Sequence, residues 1–367
     1  GGTMIRRLHS PGAGGVLNAA MATAGVAFLL GVWGVLTIAS SQSAAPTALL
    51  IGKQFGALVA GMVVMLAAAR IPFEFYRRQV WVLALLFFLP LLILPLAGVR
   101  VNGMCGWFRV GAFSLQPTEP AKGIFLLSLV VTMSSLRSES LRFWGALAVA
   151  SLWLTPIFLQ PDFGTSAIYL AGFAAVYFLA GGRIRNLLIF FTGAAAAAAL
   201  FVWSHPYAWR RITGLFQPEL DPLGSGWHIR QFELAIARGR FFGEKLGHAV
   251  WSNAYLPLSY NDSAFATMAE TLGFFGTLPV FLGFALLIAS LAVLANRFDL
   301  ESDARLYILS AAALIGIQSL VHISVNLCLL PPTGLTLPLI SYGGSSLIGC
   351  CLMLGIALSA ARCRRSY

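Results

Sequence analysis

The sequence predicts an all-α integral membrane protein with about ten transmembrane helices and one large extracellular loop between helices 7 and 8. Hydrophobic residues make up 58% of the 367 residues and charged residues only 10%, and the mean hydropathy is +0.82. A soluble domain has roughly 25% charged residues. The composition therefore excludes soluble function classes and requires a lipid environment.

Long apolar runs supply the predicted spans, because roughly 20 residues are needed to cross the hydrocarbon. The runs that meet this length are 17–40, 47–69, 79–98, 118–136, 143–160, 163–181, 186–204, 264–296, 305–330 and 338–361. The first run follows Arg6 and Arg7 but is too long for the core of a signal peptide, so we retain it as a span. Gly1 to Thr3, ahead of Met4, are expected to be a cloning remnant, and residues 1–367 to form a single polytopic membrane domain.

The arginines of the short loops predict the orientation. If the N-terminus is cytoplasmic, fourteen arginines fall on that side, whereas only Arg100 and Arg109 fall in the short loops opposite. Both termini are therefore expected in the cytoplasm, with residues 205–263 outside. The net charge of +11 is mostly a consequence of this topology, so we expect membrane lipid and no nucleic acid among the partners.

Residues 205–263 form a polar insert that holds eleven of the charged residues and ends in Asp262, directly before the apolar run that begins at Ala264. Four apolar residues at helical spacing predict a short helix at the membrane surface: Trp227, Ile229, Phe232 and Ile236. Two interpretations of this helix stay open. It is a lid packed on the bundle, a basic rim for an anionic lipid headgroup, or both.

Charged residues inside the spans are candidates for function, since each costs at least roughly 2.5–3.5 kcal/mol in hydrocarbon. Glu119 and Lys122 are three residues apart and are expected to form a buried structural ion pair. Asp162 follows a Gln-Pro helix break and is expected to cap the next helix. Lys53 is expected either to reach the interface or to contact a lipid phosphate.

Five motifs follow one another along the chain: Asn102-Gly103 with Trp107, Gln116 to Lys122, Gln160 to Thr165, Leu256-Pro257 through Asp262 to Phe274, and Pro332 to Ser346. In their order and topology they resemble the SEDS family (shape, elongation, division and sporulation). The last motif is highly specific, and together the motifs cover nearly the whole chain. Within that family the sequence from Gly334 to Pro338 is more similar to FtsW, the division member, than to RodA, the elongation member.

The resemblance implies a peptidoglycan glycosyltransferase of the bacterial cytoplasmic membrane. Such an enzyme polymerises lipid II on the outer face, releases polyprenyl-pyrophosphate, and works with a class B penicillin-binding protein and other divisome or elongasome proteins in cell division or cell-shape maintenance. The chain departs from the family wording at four positions that bear on substrate contacts: Gly106, Leu258, Tyr260 and Arg240.

The chemistry of such a reaction can be argued from the residues. A base must take a proton from the acceptor sugar hydroxyl, and positive charge must stabilise the departing pyrophosphate. Asp262 is the predicted general base, because one carboxylate suffices for a single inverting displacement. The alternative is that Asp262 merely caps the helix starting at Ser263. Glu270 lies about two helical turns further on, so both carboxylates could face one cavity.

The predicted substrate-binding residues are Lys53, Trp107, Arg109, Lys122, Arg210, Arg238, Arg240, Lys245, Glu270, Ser341 and Ser345. Glu119 and Asp162 are expected to be structural residues near the site. No ligand cluster requires a metal, and the five cysteines suggest neither a metal site nor a disulfide framework. A divalent cation, Mg²⁺ or Mn²⁺, could assist at the pyrophosphate.

Two other functions stay open. A flippase or transporter of a lipid-linked cell-wall precursor would line its path with Lys53, Glu119 and Lys122 and place its site at broken helices. A non-catalytic scaffold would only position a partner. The concentration of charge in one outer insert favours the polymerase, because a flippase needs its charges along a transmembrane cavity.

Overall fold

The structure is a computed structural model that describes residues 13–40, 47–101, 104–111, 113–204, 209, 213–217, 219, 225–244, 249–256, 260–299 and 301–362. The first helices are α1 (Ala13–Ser40), α2 (Thr47–Arg70), α3 (Phe73–Arg78), α4 (Val80–Ala97), α5 (Thr118–Ser135), α6 (Glu139–Leu159), α7 (Phe163–Leu179) and α8 (Ile184–Ser204). They are followed by α9 (Ser225–Gly239), α10 (Val250–Tyr255), α11 (Ala264–Ala295), α12 (Asp303–Asn326) and α13 (Gly344–Ala361).

Each of the ten predicted apolar runs overlaps a helix over most of its length, and the predicted helical membrane fold is confirmed. Within the described ranges, eight helices are long and apolar enough to cross a membrane: α1, α2, α4, α6, α8, α11, α12 and α13. Of the other two, α7 is apolar but has 17 residues, and α5 carries Glu119 and Lys122 near its start. The burial of α5 inside the bundle lets it tolerate these charges.

The segment between α12 and α13 differs from the prediction. The run predicted from residue 338 becomes helical only at Gly344, and residues 327–343 follow an irregular path. Adjacent prolines at 331 and 332 prevent the helix from continuing. Left-handed backbone at Cys328, Gly334 and Leu339, with φ of 59°, 71° and 65°, turns the chain back toward the bundle.

A small antiparallel sheet that the sequence did not predict connects α4 to α5. Its strands are β1 (Val99–Val101), β2 (Met104–Val110) and β3 (Phe113–Leu115), with β2 in the middle. Trp107 of β2 lies opposite Val99, and Arg109 lies opposite Ser114 of β3. The strands are too short for the alternating pattern of a sheet to stand out among apolar spans.

The core of the bundle is formed by α5 and α13, which are buried along nearly their whole lengths. Small residues let the backbones approach closely. A Cβ at Gly349 of α13 would lie 2.6 Å from the carbonyl carbon of Glu119, and one at Gly355 would lie 2.6 Å from the carbonyl oxygen of Met65 in α2. The start of α5, which carries the charged pair, is thereby held directly against α13.

Helix α11 is broken at Gly273, whose φ of 68° and ψ of −170° are accessible essentially only to glycine. The chain that follows α9 repairs the break. The amide of Glu244 donates to the Glu270 carbonyl at 2.9 Å, and the amides of Phe274 and Phe275 donate to the Arg240 and Phe241 carbonyls at 2.9 and 3.1 Å. Backbone groups released by the kink are therefore satisfied within the protein.

The amphipathic helix predicted in the insert is α9, and the structure places it as a lid on the bundle. Ile229 and Phe232 are buried, and Phe232 packs in a small apolar cluster with Leu256, Ala266 and Val325. The charged residue Arg230 is exposed on the other face. The lid interpretation therefore describes α9 in the structure, and the basic rim for a lipid headgroup stays a prediction.

Candidate functional site

Asp262 lies in a tight turn that the segment 327–343 holds in place. The Tyr342 amide donates to the Tyr260 carbonyl at 2.8 Å, and the Ser341 hydroxyl donates to the Asn261 carbonyl at 2.8 Å. The two tyrosine rings meet edge to face at 5.3 Å. The turn before α11 is thus fixed by backbone contacts immediately before Asp262.

The carboxylate of Asp262 does not cap α11. Ser263 is the N-cap residue, and the buried first turn is instead capped by Asn326 of α12, whose Oδ1 accepts from the Ala266 amide at 3.0 Å. Within the described part of the chain, no hydrogen-bond donor contacts the Asp262 carboxylate. Gly334 lies beside it, since a Cβ there would be 3.8 Å from Asp262 Oδ2.

The environment of Asp262 suits a base. Removal from bulk water raises its pKa to about 6, and the negative charge of Asp162 adds to this effect. The side chain is nonetheless only half-buried, so a ligand can reach it. A base works best when its pKa lies near the operating pH.

Asp162 caps α7, as predicted. Its Oδ1 accepts from the Thr165 amide at 2.9 Å, and its Oδ2 accepts from Gln116 Nε2 at 3.3 Å. Burial raises the pKa of Asp162, and its bonds with Thr165 oppose that shift. Asp162 and Asp262, which precede α7 and α11, lie near enough for the charge of one to affect the other, at one end of the bundle.

The sheet is fastened to the same end through Gln116 and Ser345. The backbone amide of Gln116 donates to the Ser345 hydroxyl at 3.0 Å, and that hydroxyl donates to the Ser114 carbonyl at 3.3 Å. Trp107 is half-buried on β2, and Arg109 is exposed there. The hydroxyls of Ser341 and Ser345 thus position the site's own backbone, and their direct contact with substrate stays a prediction.

The predicted ion pair of Glu119 and Lys122 is confirmed. Lys122 Nζ lies 2.8 Å from Glu119 Oε2, both side chains are buried, and Nζ also donates to Gln318 Oε1 at 2.9 Å. Gln318 Nε2 in turn donates to the Thr336 carbonyl at 3.0 Å. The pair is therefore linked to the segment that holds Asp262, and the cavity beside it has space for about one water molecule.

Glu270, which was predicted to face one cavity with Asp262, is fully buried and bound to other parts of the protein. Its carboxylate accepts from the amides of Trp251 and Ser252, at 2.9 and 2.7 Å, and from the Ser252 hydroxyl. Arg238 Nε lies 3.5 Å from the same carboxylate. A fully buried carboxylate needs such donors, so Glu270 anchors α10 to α11 through the two amides and α9 to α11 through Arg238.

The remaining predicted contacts are dispersed. Arg240 is exposed, with a left-handed φ of 46°, at the chain that repairs the α11 kink. Lys53 is half-buried on the second turn of α2. Arg210 and Lys245, together with Leu258 among the departures from the family wording, lie outside the described residues.

Sequence reasoning missed the polar side chains that hold the site together. Gln54 of α2 donates to the Ser341 carbonyl at 3.2 Å and accepts from the Gly343 amide at 3.3 Å. His322 Nδ1 donates to the Leu335 carbonyl at 2.7 Å. Their position in the sequence could have indicated this role, because an uncharged polar residue inside an apolar span requires a hydrogen-bond partner within the protein.

No group of three or more His, Cys, Asp and Glu side chains that could hold a metal ion is formed by the residues described. Asp162 and Asp262 supply two carboxylates at the site. A divalent cation would need further ligands from a substrate phosphate or from water.

Comparisons with known proteins agree with these motifs. The family model for the FtsW, RodA and SpoVE cell cycle proteins matches residues 17–366. The probable peptidoglycan glycosyltransferase FtsW of Alkalilimnicola ehrlichii is 38% identical over 294 residues, which is 78% of this chain and 72% of that protein. The protein of the same description from Nitrosococcus halophilus is 33% identical over 354 residues, covering 94% of this chain and 90% of that one.

Solved structures share the fold. A chain from the structure described as "Structural coordination of polymerization and crosslinking by a peptidoglycan synthase complex" superposes with a TM-score of 0.79 at 29% identity and covers 94% of this chain and 98% of its own. The rod shape determining protein RodA of Thermus thermophilus superposes with a TM-score of 0.70 at 26% identity and covers 93% and 95%.

Replacement of Lys122 by alanine should destabilise the protein, because Glu119 would keep a buried charge without its partner. Loss of one member of a buried pair costs about 3–5 kcal/mol. The thermal midpoint in detergent should fall together with activity. The double variant Glu119→Gln, Lys122→Met removes both charges and should recover much of the loss. A Lys122→Ala protein of parental stability but without activity would instead assign Lys122 a direct role.

Proposed function

The chain belongs to the FtsW, RodA and SpoVE family of cell cycle proteins and resembles its FtsW members, and from this we propose that it is a peptidoglycan glycosyltransferase that polymerises lipid II. The relatives carry that enzyme name, and the shared fold extends over nearly the whole chain. The observation that carries the assignment to a site is the Asp262 carboxylate, which has no donor among the residues that the structure describes, while Asn326 supplies the helix cap.

In the proposed reaction, Asp262 takes the proton of the acceptor sugar hydroxyl as that oxygen attacks the anomeric carbon of the donor. The new bond between carbon and oxygen forms as the bond to the pyrophosphate breaks. The polyprenyl-pyrophosphate leaves, and the sugar configuration inverts in the single displacement. A carboxylate with a pKa of about 6 is mostly ionised at neutral pH and can accept this proton.

The departing pyrophosphate needs positive charge. Arg109 and Arg240 are exposed, and Lys53 is half-buried on α2. Arg238 already pairs with Glu270 and is a weaker candidate. A divalent cation, Mg²⁺ or Mn²⁺, would assist by neutralising the pyrophosphate, with ligands from the phosphate oxygens and water.

The surroundings of the Glu119–Lys122 pair favour a polymerase over a flippase. The cavity beside the pair holds about one water molecule, so the two charges do not line an open path in this structure. Both charges are also bound to each other and to Gln318. The pair therefore serves the structure around the site rather than a transport path.

We place the site on the outer face of the bacterial cytoplasmic membrane, with both termini in the cytoplasm. The end of the bundle opposite Asp262 carries arginines that bind helix ends, as Arg297 does to the Ala361 carbonyl at 2.7 Å and Arg362 to the Ala69 carbonyl at 3.1 Å. This distribution follows the positive-inside rule. The similarity to a chain of a peptidoglycan synthase complex supports a class B penicillin-binding protein as partner.

Asp262→Asn should keep the fold and lose polymerisation. The substitution preserves size and removes the proton acceptor, and a positioned base contributes about 10² to 10⁴ in rate. Purified protein is assayed with labelled lipid II, with Asp299→Asn at the opposite end as the matched control. Addition of Mg²⁺, Mn²⁺ or EDTA in the same assay tests the divalent cation.

Asp262→Asn protein that polymerises at the parental rate would refute the base assignment. Parental protein that moves lipid II across vesicles without joining it would establish the transporter instead.

The rate of polymerisation should rise with pH through about pH 6, because only deprotonated Asp262 accepts the proton. Asp162→Asn keeps the α7 cap, since asparagine caps as well as aspartate, and removes the negative charge that adds to the effect of burial in raising the Asp262 pKa. The acid limb of the rate profile should therefore move to lower pH in Asp162→Asn. An acid limb at the same pH in Asp162→Asn would show that the group titrating in the rate profile is not Asp262.

Cysteine labelling of intact cells tests the orientation. Ala237→Cys on α9 and Ser140→Cys on α6 place exposed thiols at opposite ends of the bundle, in a background with Cys328 and Cys363 replaced by alanine. An impermeant maleimide should label Ala237→Cys and leave Ser140→Cys unlabelled until the cells are opened. The reverse pattern would invert the topology.

A further inference from the structure

The side chain of Asn326 joins three parts of the site. It is fully buried at the end of α12. Its Oδ1 accepts from the Ala266 amide at 3.0 Å, and its Nδ2 donates to the Asp262 carbonyl and to the His322 carbonyl, both at 3.0 Å. Two of these three bonds hold the backbone of Asp262 and of Ala266, and the third returns to α12 at His322.

These bonds decide what the Asp262 carboxylate does. The first amides of a helix lack intrahelical partners and attract nearby carboxylates. Ser263, the N-cap residue of α11, makes no cap hydrogen bond with its side chain. Because a neutral amide from another helix caps the Ala266 amide, the carboxylate of Asp262 is not drawn onto the helix end.

Asn326 is also the last of three polar residues spaced four apart on one face of α12. Gln318 donates to the Thr336 carbonyl at 3.0 Å, and His322 donates to the Leu335 carbonyl at 2.7 Å. A single helix therefore sets the position of the Asp262 turn and of the segment that carries Gly334. The relative position of the two is fixed by the spacing of side chains along α12.

We propose that Asn326 is the positioning residue of Asp262: it caps α11 from α12 and holds the Asp262 carbonyl, so that the carboxylate stays free to face the acceptor sugar. This inference rests on the proposed function of Asp262. It concerns a residue that does not itself touch substrate, and it gives the amide at position 326 a role that alanine or an aliphatic residue cannot fill.

Rates of lipid II polymerisation for Asn326→Ala, measured in the parental chain and in Asp262→Asn, test this role. Misplacement of a reacting group by about 1 Å can cost 10²-fold, so we expect a 10- to 100-fold loss in the parental background. Residues that act as one unit are not additive, so the further loss in Asp262→Asn should be under about threefold. The thermal midpoint should fall equally in both backgrounds.

Ser324→Ala is the matched control, because this small polar residue lies on the same turn of α12 and two residues, or about 200° of helix rotation, from Asn326. It should change the rate less than about twofold in either background. Asn326→Ser, which keeps a small polar group, replaces Asn326→Ala if the alanine variant fails to fold. Its loss of rate should likewise be confined to the parental background.

Equal losses in both backgrounds would show that Asn326 only stabilises the fold and would overturn the inference, as would a parental rate in Asn326→Ala. A parental protein that does not polymerise lipid II would overturn the proposed function itself. Amide hydrogen exchange at Ala266 separates the two failures, because the cap predicts faster exchange in Asn326→Ala whatever the reaction.

Discussion

Backbone polar groups that leave helical geometry in an apolar bundle must find hydrogen-bond partners inside the protein, because lipid offers none. The segment 327–343 is the main case in this chain. Its carbonyls and amides are met by Gln54 from α2 and by Gln318 and His322 from α12, and its own Ser341 closes onto the Asp262 turn. Gln54, Gln318 and His322 therefore serve as the hydrogen-bond partners of this irregular segment.

The charged residues fit the same scheme. Lys122 is held by Glu119 and reaches the irregular segment through Gln318. Glu270 satisfies the amides at the start of α10 and receives Arg238. Asp162 caps α7. In each case a buried carboxylate has donors, whereas the half-buried Asp262 carboxylate has none among the residues described. This difference supports the proposal that Asp262 is the group that reacts.

The helices could be predicted because a membrane restricts the chain to long apolar helices. The spacing of three residues on one helix was enough to predict the ion pair of Glu119 and Lys122. The Asp162 cap followed from a local sequence pattern as well. Contacts across the bundle could not be predicted, because they depend on how distant segments meet. Spacing suggested that Glu270 would share a face with Asp262, but a buried carboxylate turns to the nearest amides and guanidinium. The carboxylate that raises the pKa of Asp262 comes from another helix, at Asp162.

The hydrogen bonds that satisfy the α11 kink also determine which parts of the outer insert can change in length. Residues 240–244 bind residues 270–275 in a fixed register, and Gly239 lies so close to α11 that a Cβ there would sit 1.8 Å from the Ala269 carbonyl oxygen. An insertion or deletion between 239 and 244 would displace every one of these bonds. Length variation among related chains should therefore collect on either side of this stretch, and the stretch itself should keep a constant number of residues.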